Sequence, residues 1–264
     1  MNRIVHLSLK VDAVQKAGDF YHKLFGFKDM ETHRTRDHVS RHMTDGAMDF
    51  TLMEYDADTQ SAESKAAGDA PCIHHFALEV DDVARTAERV QSAGCEIISD
   101  PGVLPIKFRA VGGTVAELVP VGRYRQPPVE GKVCRIVHIA LNVDDVHRTG
   151  DFYQKLFGFQ DSVFEHTRDH MARHMTDGRI DLSLVRYAAG SPSAIEAGCE
   201  SPCIHHFAVE VEDVDLATAQ VKAYGCKVVS APGVLPVKFL PPGGTLAELV
   251  PIGRYQRRPA QPPR

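Results

Sequence analysis

A chain of 264 residues, 43% hydrophobic and 25% charged, has the balance of a globular protein with a real core, and the length for one large domain or two ordinary ones. The net charge of −5 is mild and unclustered, which excludes a nucleic-acid footprint, and no apolar run is long enough to span a bilayer. The N-terminus has no signal-peptide stretch and the six cysteines show no CxxC spacing, so a cytoplasmic protein with reduced, buried thiols is expected.

Residues 4–11 alternate, with Val5, Leu7, Leu9 and Val11 on one face and His6, Ser8 and Lys10 on the other, which predicts a strand with one apolar side. Asp12 is placed to cap a following helix whose stripe is Val14, Ala17, Tyr21, Leu24 and Phe25, and Gly26 ends it. Two or three strands follow, with Thr44-Asp45-Gly46 as a hairpin turn into residues 48–55. The pattern then restarts with a strand over 73–80 and a helix capped by Asp82 that bears Val83, Ala87 and Val90 and stops at Gly94. Short strands around 96–99, 106–108 and 114–119 complete a second β-α-β-β-β unit.

All of this is then written again. Ile4-Val5-His6 returns as Ile136-Val137-His138, Arg41-His42-Met43-Thr44-Asp45-Gly46 as Arg173-His174-Met175-Thr176-Asp177-Gly178, and Pro71-Cys72-Ile73-His74-His75-Phe76 as Pro202-Cys203-Ile204-His205-His206-Phe207. The stretches 56–70 and 188–201 vary between copies. The period is too long for a solenoid, so the chain is a tandem duplication: a first module over 1–122, a Pro-containing linker over 123–133 and a second module over 134–264. The expected fold class is α+β, with two βαβββ units in each module.

A strand with one apolar face turns its other face to water or to a cavity. His6 and His138 lie on that second face. In the strand over 73–80, Phe76, Leu78 and Val80 form the core face, so His75 and its counterpart His206 go to the cavity side, whereas His74 and His205 are expected on the apolar side. Glu117 and Glu248 stand alone in apolar strands, where a carboxylate must be paired, protonated or bound to a metal. Arg41 and Arg173 are read as solvated surface.

A His on a first strand, a helix ending in F-Y-x-x-L-F-G-F, then H-x-A-L-x-V-x-D and G-T-x-A-E-L-V together resemble the vicinal oxygen chelate superfamily, which includes glyoxalase I, extradiol dioxygenases and bleomycin resistance proteins. The resemblance covers almost the whole chain, twice. It implies that the paired βαβββ units form curled, cup-like mixed sheets with helices outside, with one divalent metal per cup, held by His6, His75 and Glu117 in the first and by His138, His206 and Glu248 in the second. Two imidazoles and one carboxylate around a divalent cation leave a net charge of about +1 and open positions for a small bidentate substrate. The fourth ligand of the family's glyoxalases falls on Thr51 and Ser183, which are poor ligands, with Asp49 and Asp181 as substitutes after a register slip. A three-ligand triad implies an Fe(II) extradiol-type dioxygenase acting on a catechol-like substrate. The alternatives are a glyoxalase-type lyase or isomerase using Ni, Zn, Mn or Co, and a non-catalytic drug-binding protein.

One departure bears on that choice. The His and Tyr and the Asp-Pro-x-Gly turn of such dioxygenases are replaced here by residues 107–113 and 238–244. A different acid–base group is then required, for which His42 and His174 are the candidates, with His38 and His170 behind them. Lys107 and Lys238 are candidates to anchor a substrate carboxylate, beside Thr51 and Ser183. No nucleic-acid or membrane partner is expected; a homodimer is compatible with the reading.

Overall fold

The computed structural model describes residues 2–35, 37–131, 133–167, 169–188, 190–191 and 202–256. The first module runs β1 (Arg3–Lys10), α1 (Val14–Phe25), β2 (Lys28–Arg34), β3 (His38–Thr44), β4 (Asp49–Tyr55) and a short α2 (Ala62–Ala67). It continues with β5 (Cys72–Val80), α3 (Val83–Ser92), β6 (Glu96–Ile97), β7 (Ile106–Arg109) and β8 (Val115–Pro120). The second runs β9 (Arg135–Asn142), α4 (Val146–Phe157), β10 (Gln160–His166), β11 (His170–Thr176), β12 (Asp181–Tyr187), β13 (Cys203–Val211), α5 (Val214–Ala223), β14 (Lys227–Val228), β15 (Val237–Leu240) and β16 (Ala247–Pro251). The α+β fold expected from the repeat is present in both copies. Most of the variable stretch 188–201 lies outside the described residues.

Each module has the same strand order. In the first, β1 pairs with β4 in parallel and with β5 antiparallel, β5 pairs with β8 in parallel, and β2-β3 and β7-β6 extend the two ends. The second repeats that order from β10 to β14. The two halves join into one sheet where Ile73 of β5 pairs with Ile204 of β13.

The helices join the modules into one core. The first helix of each module packs on the second unit of the other: Phe20 of α1 lies 5.1 Å from Tyr224 and 6.2 Å from Phe239, and Phe152 of α4 lies 6.4 Å from Phe108. These rings belong to a single buried apolar cluster drawn from both modules. The hairpin turns reinforce the pairing. Asp45 accepts from the backbone N–H of Ile136 at 2.8 Å, and Asp177 accepts from that of Ile4 at 2.7 Å. Each turn thus satisfies a backbone donor at the start of the other module's first strand. The glycine-rich turns have the same destination. Gly112 has φ of 98°, and a Cβ there would come within 2.7 Å of Thr149; at Gly243 it would come within 2.8 Å of Val11. Both the left-handed backbone and the close approach call for glycine.

Several local expectations are corrected. Asp12 does not cap α1: its N-cap is Ala13, and the Val14 N–H is satisfied instead by Glu54 of β4 at 3.0 Å. Asp82 does cap α3, accepting from Arg85 at 2.9 Å. Arg41 and Arg173 are buried rather than solvated. The Arg41 guanidinium grips Asp29 through Nε at 2.7 Å and Nη2 at 3.1 Å and reaches Asp19 at 2.9 Å; Arg173 does the same with Asp161 and Asp151. Gly18 and Gly150 make room for them, since a Cβ at either would overlap the guanidinium. Cys203 is disulfide-bonded, whereas Cys72, Cys95 and Cys226 are free thiols, so the reduced-thiol argument for a cytoplasmic protein fails at Cys203. Among the described residues no helix is long and apolar enough to cross a membrane.

Candidate metal centre

The three strands β1, β5 and β8 are neighbours, and their register lines up the candidate ligands. His6 pairs with Ala77 and Ala77 with Glu117, so His6 and Glu117 stand at one level on either side of a small residue, with His75 two residues along β5. Ala77 leaves the space between them open. On the flanks, Lys107 pairs with Glu117, and Asp49 pairs with His6. The ligand atoms of His6, His75 and Glu117 all lie within 4.8 Å of one another, as do those of His138, His206 and Glu248, and all six side chains are buried. Each set comes from a single module.

The sequence placed His74 and His205 on the apolar side, and the structure does not. A register shift between Ser8 and Leu9 sets two residues of β1 against three of β5, a bulge that brings His74 beside His75. The same shift recurs at Ile204/His206 in β13.

This displacement fixes the protonation of the site. His74 Nε2 lies 3.0 Å from the carbonyl oxygen of Glu63, which can only accept, so that nitrogen carries the proton. Burial pushes His74 down to about 4, so the ring is neutral and its Nδ1 accepts from the Nδ1–H of His75. His75, also held well below its ordinary value by burial, therefore offers a lone pair at Nε2. His6 donates Nδ1–H to Asp49 at 2.6 Å and likewise offers Nε2. Those two nitrogens are 3.2 Å apart, and Glu117 Oε2, buried and without a hydrogen bond, is 3.4 Å from His75 Nε2. The Lys107 ammonium offsets the carboxylate from one side, but the two imidazole lone pairs still face each other in a buried space and repel unless a cation lies between them. Metal–ligand bonds of about 2.1 Å at right angles set donors about 3.0 Å apart, close to the spacings seen. The residues present fit a divalent metal. The second cup repeats the geometry, with His138 Nε2 3.3 Å from His206 Nε2, and His206 Nε2 3.2 Å from Glu248 Oε1.

Asp49 and Asp181 each bridge two histidine rings, and Asp181 with His138 and His174 forms a further buried group whose donor atoms lie within 4.8 Å of one another. Asp49 holds His6 Nδ1 and, at 3.0 Å, His42 Nδ1; Asp181 holds His138 at 2.6 Å and His174 at 2.8 Å. Burial opposes a charge on Asp49, but hydrogen bonds from His42 and His6 outweigh it and keep the carboxylate ionised. For His42 burial opposes the charged form, yet the Asp49 bond and charge raise the imidazole above its ordinary value. Thr51 lies 2.8 Å from His42 Nδ1 and 2.7 Å from Asp49, so it braces this network; Ser183 takes the same register position opposite His174. Lys107 is buried, with Nζ 3.1 Å from Glu63 and 3.4 Å from Glu117; Lys238 Nζ is 3.7 Å from Glu248.

Two site residues escaped the sequence reading. Tyr124 donates to Glu117 Oε1 at 2.9 Å and stacks on His6 at 4.3 Å, although it falls in the segment expected as linker. Tyr255 donates to Glu248 at 3.2 Å and stacks on His138 at 4.1 Å. The repeat carried the signal, since Gly122-Arg123-Tyr124 returns as Gly253-Arg254-Tyr255. Above the first triad opens a cavity of about 490 Å³, lined by His6, His42, Thr51, His75, Lys107 and Tyr124 among others.

Residues 3–111 and 135–238 each match the Glyoxalase/Bleomycin resistance protein/Dioxygenase superfamily. The chain is 27% identical over 176 residues to the probable lactoylglutathione lyase, chloroplastic, of Arabidopsis thaliana; the match covers 61% of this chain and 46% of that protein, so this chain spans less than half of that relative's length. Among solved structures it is similar to a triple mutant of 4-hydroxymandelate synthase from Streptomyces coelicolor, with a TM-score of 0.69 at 17% identity over 98% of this chain and 94% of that one. It is similar also to the 2,3-dioxygenase LapB of a Pseudomonas species, with a TM-score of 0.66 at 16% identity over 97% and 93%. At those identities the likeness to solved structures speaks for the fold alone. The two family matches lie in tandem over most of the chain, and on that ground the chain belongs to the Glyoxalase/Bleomycin resistance protein/Dioxygenase superfamily.

Proposed function

We propose that each cup is a non-heme Fe(II) centre of the extradiol ring-cleaving dioxygenase type, acting on a small catechol-like substrate. One observation carries this reading: the acid on the fourth strand, Asp49 or Asp181, is committed to orienting a histidine, so each centre has three protein ligands and several positions left over. A bound Fe(II) supplies the redox chemistry with dioxygen. His6, His75 and Glu117 hold it in the first cup, and His138, His206 and Glu248 in the second. Asp49 fixes the His6 tautomer and His74 that of His75, which keeps both Nε2 lone pairs aimed inward. His42 has its Nδ1 committed to Asp49 and Thr51, so its Nε2 is the atom that takes a proton from a substrate hydroxyl; His174 has the same role against Asp181. Tyr124 orients the Glu117 carboxylate and walls the cavity against water beside His6. In this reading Lys107 is the counter-charge of Glu117 and Glu63, and a substrate carboxylate has to compete with Glu63 for it.

Metal content after anaerobic reconstitution with Fe(II), followed by oxygen uptake on a panel of catechols, tests the proposal. Two ions per chain and oxygen consumption with ring-opened product are expected. A second reading, a glyoxalase-type lyase, has in its favour the proton-handling His42–Asp49 pair and the lactoylglutathione lyase relative. A two-metal protein silent to oxygen but active on a glutathione hemithioacetal would replace the first reading by the second.

A further inference from the structure

A different group of ligating side chains sits at the mouth of the first cup. Glu31 and His33 alternate onto one face of β2, and Glu31 lies directly opposite His42 of β3. One donor atom from each of Glu31, His33 and His42 lies within 4.8 Å of the others. The His33 ring stacks on that of His42 at 5.1 Å, and its Nδ1 is 4.0 Å from Glu31 Oε1. All three line the cavity above the buried triad. His42 is anchored through Nδ1 by Asp49 and Thr51, which leaves Nε2 as its free donor. Glu31 and His33 are 68% and 44% exposed, so both swing toward that nitrogen without disturbing the core.

We propose that these residues form an exchangeable cation site on the rim of the first cup, distinct from the buried centre, that takes a borderline divalent ion such as Zn²⁺. Two imidazoles and a carboxylate are a zinc donor set, with water completing the shell. Its exposure lets the ion come and go, unlike an ion enclosed by the triad. The site has a consequence that rests on the proton-carrying role proposed for His42. An ion on His42 Nε2 takes that base out of service, so excess Zn²⁺ silences the first cup while the second keeps working. Among the described residues the second cup does not repeat the rim site: Val163 stands opposite His174 where Glu31 stands opposite His42, and Glu165 occupies the position of His33.

Equilibrium dialysis of the full chain against Zn²⁺ tests the site without any assay of activity. Wild type is compared with His33→Ala and with Glu31→Val, which installs the second cup's residue. Wild type is expected to bind one equivalent more than His33→Ala, with Glu31→Val weakened at least tenfold for that equivalent, however many ions the buried centres hold. Equal uptake by all three proteins overturns the proposal, and so does an extra equivalent that survives both substitutions. Both side chains are exposed, and unchanged circular dichroism and thermal midpoints confirm that the variants are folded. Once turnover is in hand, Zn²⁺ inhibition of wild type should level off at the second cup's share and disappear in His33→Ala. Inhibition that persists in that variant overturns the link to His42 while leaving the dioxygenase reading standing.

Discussion

The two cups keep the same inner set and differ in their walls. Each has its His, His, Glu triad, an aspartate shared between a ligand histidine and a second histidine, and a tyrosine on the glutamate. Around these, the first cup carries Ser8, Ser40 and Met53, with the Ser8 hydroxyl 2.9 Å from the Met53 sulfur. The second has Ala140, Ala172 and Val185 at those register positions, packed into an apolar cluster with Tyr187. Lys107 is nearly enclosed between two glutamates, whereas the Lys238 side chain keeps a quarter of its surface exposed. The groups that aim lone pairs at a metal tolerate no drift, because a misplaced donor leaves a buried charge or an unpaired imidazole. The residues around them are under no such demand, and those of the second cup are the more apolar.

The most drastic way to break the symmetry is to remove a ligand. His75→Ala and His206→Ala should each lose one metal equivalent per chain and leave the other cup loaded, with the double variant losing both; metal analysis after gel filtration reads this directly. Loss of both ions in a single variant would show that the cups are coupled. Next in size are the orienting acids. Asp49→Asn and Asp181→Asn should weaken metal binding by about 10–100-fold, the usual cost of removing a carboxylate behind a ligating histidine. A chelator competition titration measures it, and an undiminished affinity in either variant would mean that the hydrogen bond to that histidine does not matter.

The glycine turns that bring the two modules into contact should respond alike in both copies. Gly112→Ala and Gly243→Ala each combine a left-handed backbone with a clash against the other module, for an expected loss of about 1–3 kcal/mol in denaturant unfolding. A difference of more than about 1 kcal/mol between them would reveal unequal packing at the two contacts. Acid should also loosen the metal-free protein. His74 falls to about 4 in the folded state against 6.5 ordinarily, so the unfolded chain binds the proton more readily. Stability is then full above about pH 6.5 and declines as pH falls toward 4. Thermal midpoints across that range should drop in wild type and drop less in His74→Leu.

Alternation alone separated His6 and His75 from their neighbours, because the ligand strands each present one face to the cup and the repeat let each strand be read twice. What stayed illegible was non-local. A period-two reading cannot see the bulge that brings His74 onto His75, since the extra residue is defined by the partner strand. Asp12 has the chemistry of a helix cap, yet Glu54, distant in sequence, takes the Val14 N–H. Arg41 looks like surface until Gly18 and three acceptors from other elements are placed around it. Tyr124 follows the last strand in a segment whose prolines suggested only a connector, and its role appears once the chain folds back over β1.

The smallest expected effect probes that tyrosine. Tyr124→Phe and Tyr255→Phe keep the ring stacked on the ligand histidine and delete only the hydroxyl. The bond is shorter in the first cup, 2.9 Å against 3.2 Å, and both oxygens sit in a buried site where burial raises the phenol's pKa and keeps it a donor. A hydrogen bond to a charged acceptor contributes about 1.5–3 kcal/mol, but a bound metal takes over part of the carboxylate's charge, so the loss should fall to about 1 kcal/mol or several-fold in metal affinity. The first cup should lose more than the second. Metal titrations on the two single variants decide this: equal losses would mean that the difference in bond length has no energetic weight, and a gain in affinity would mean that the tyrosine competes with the metal for the glutamate.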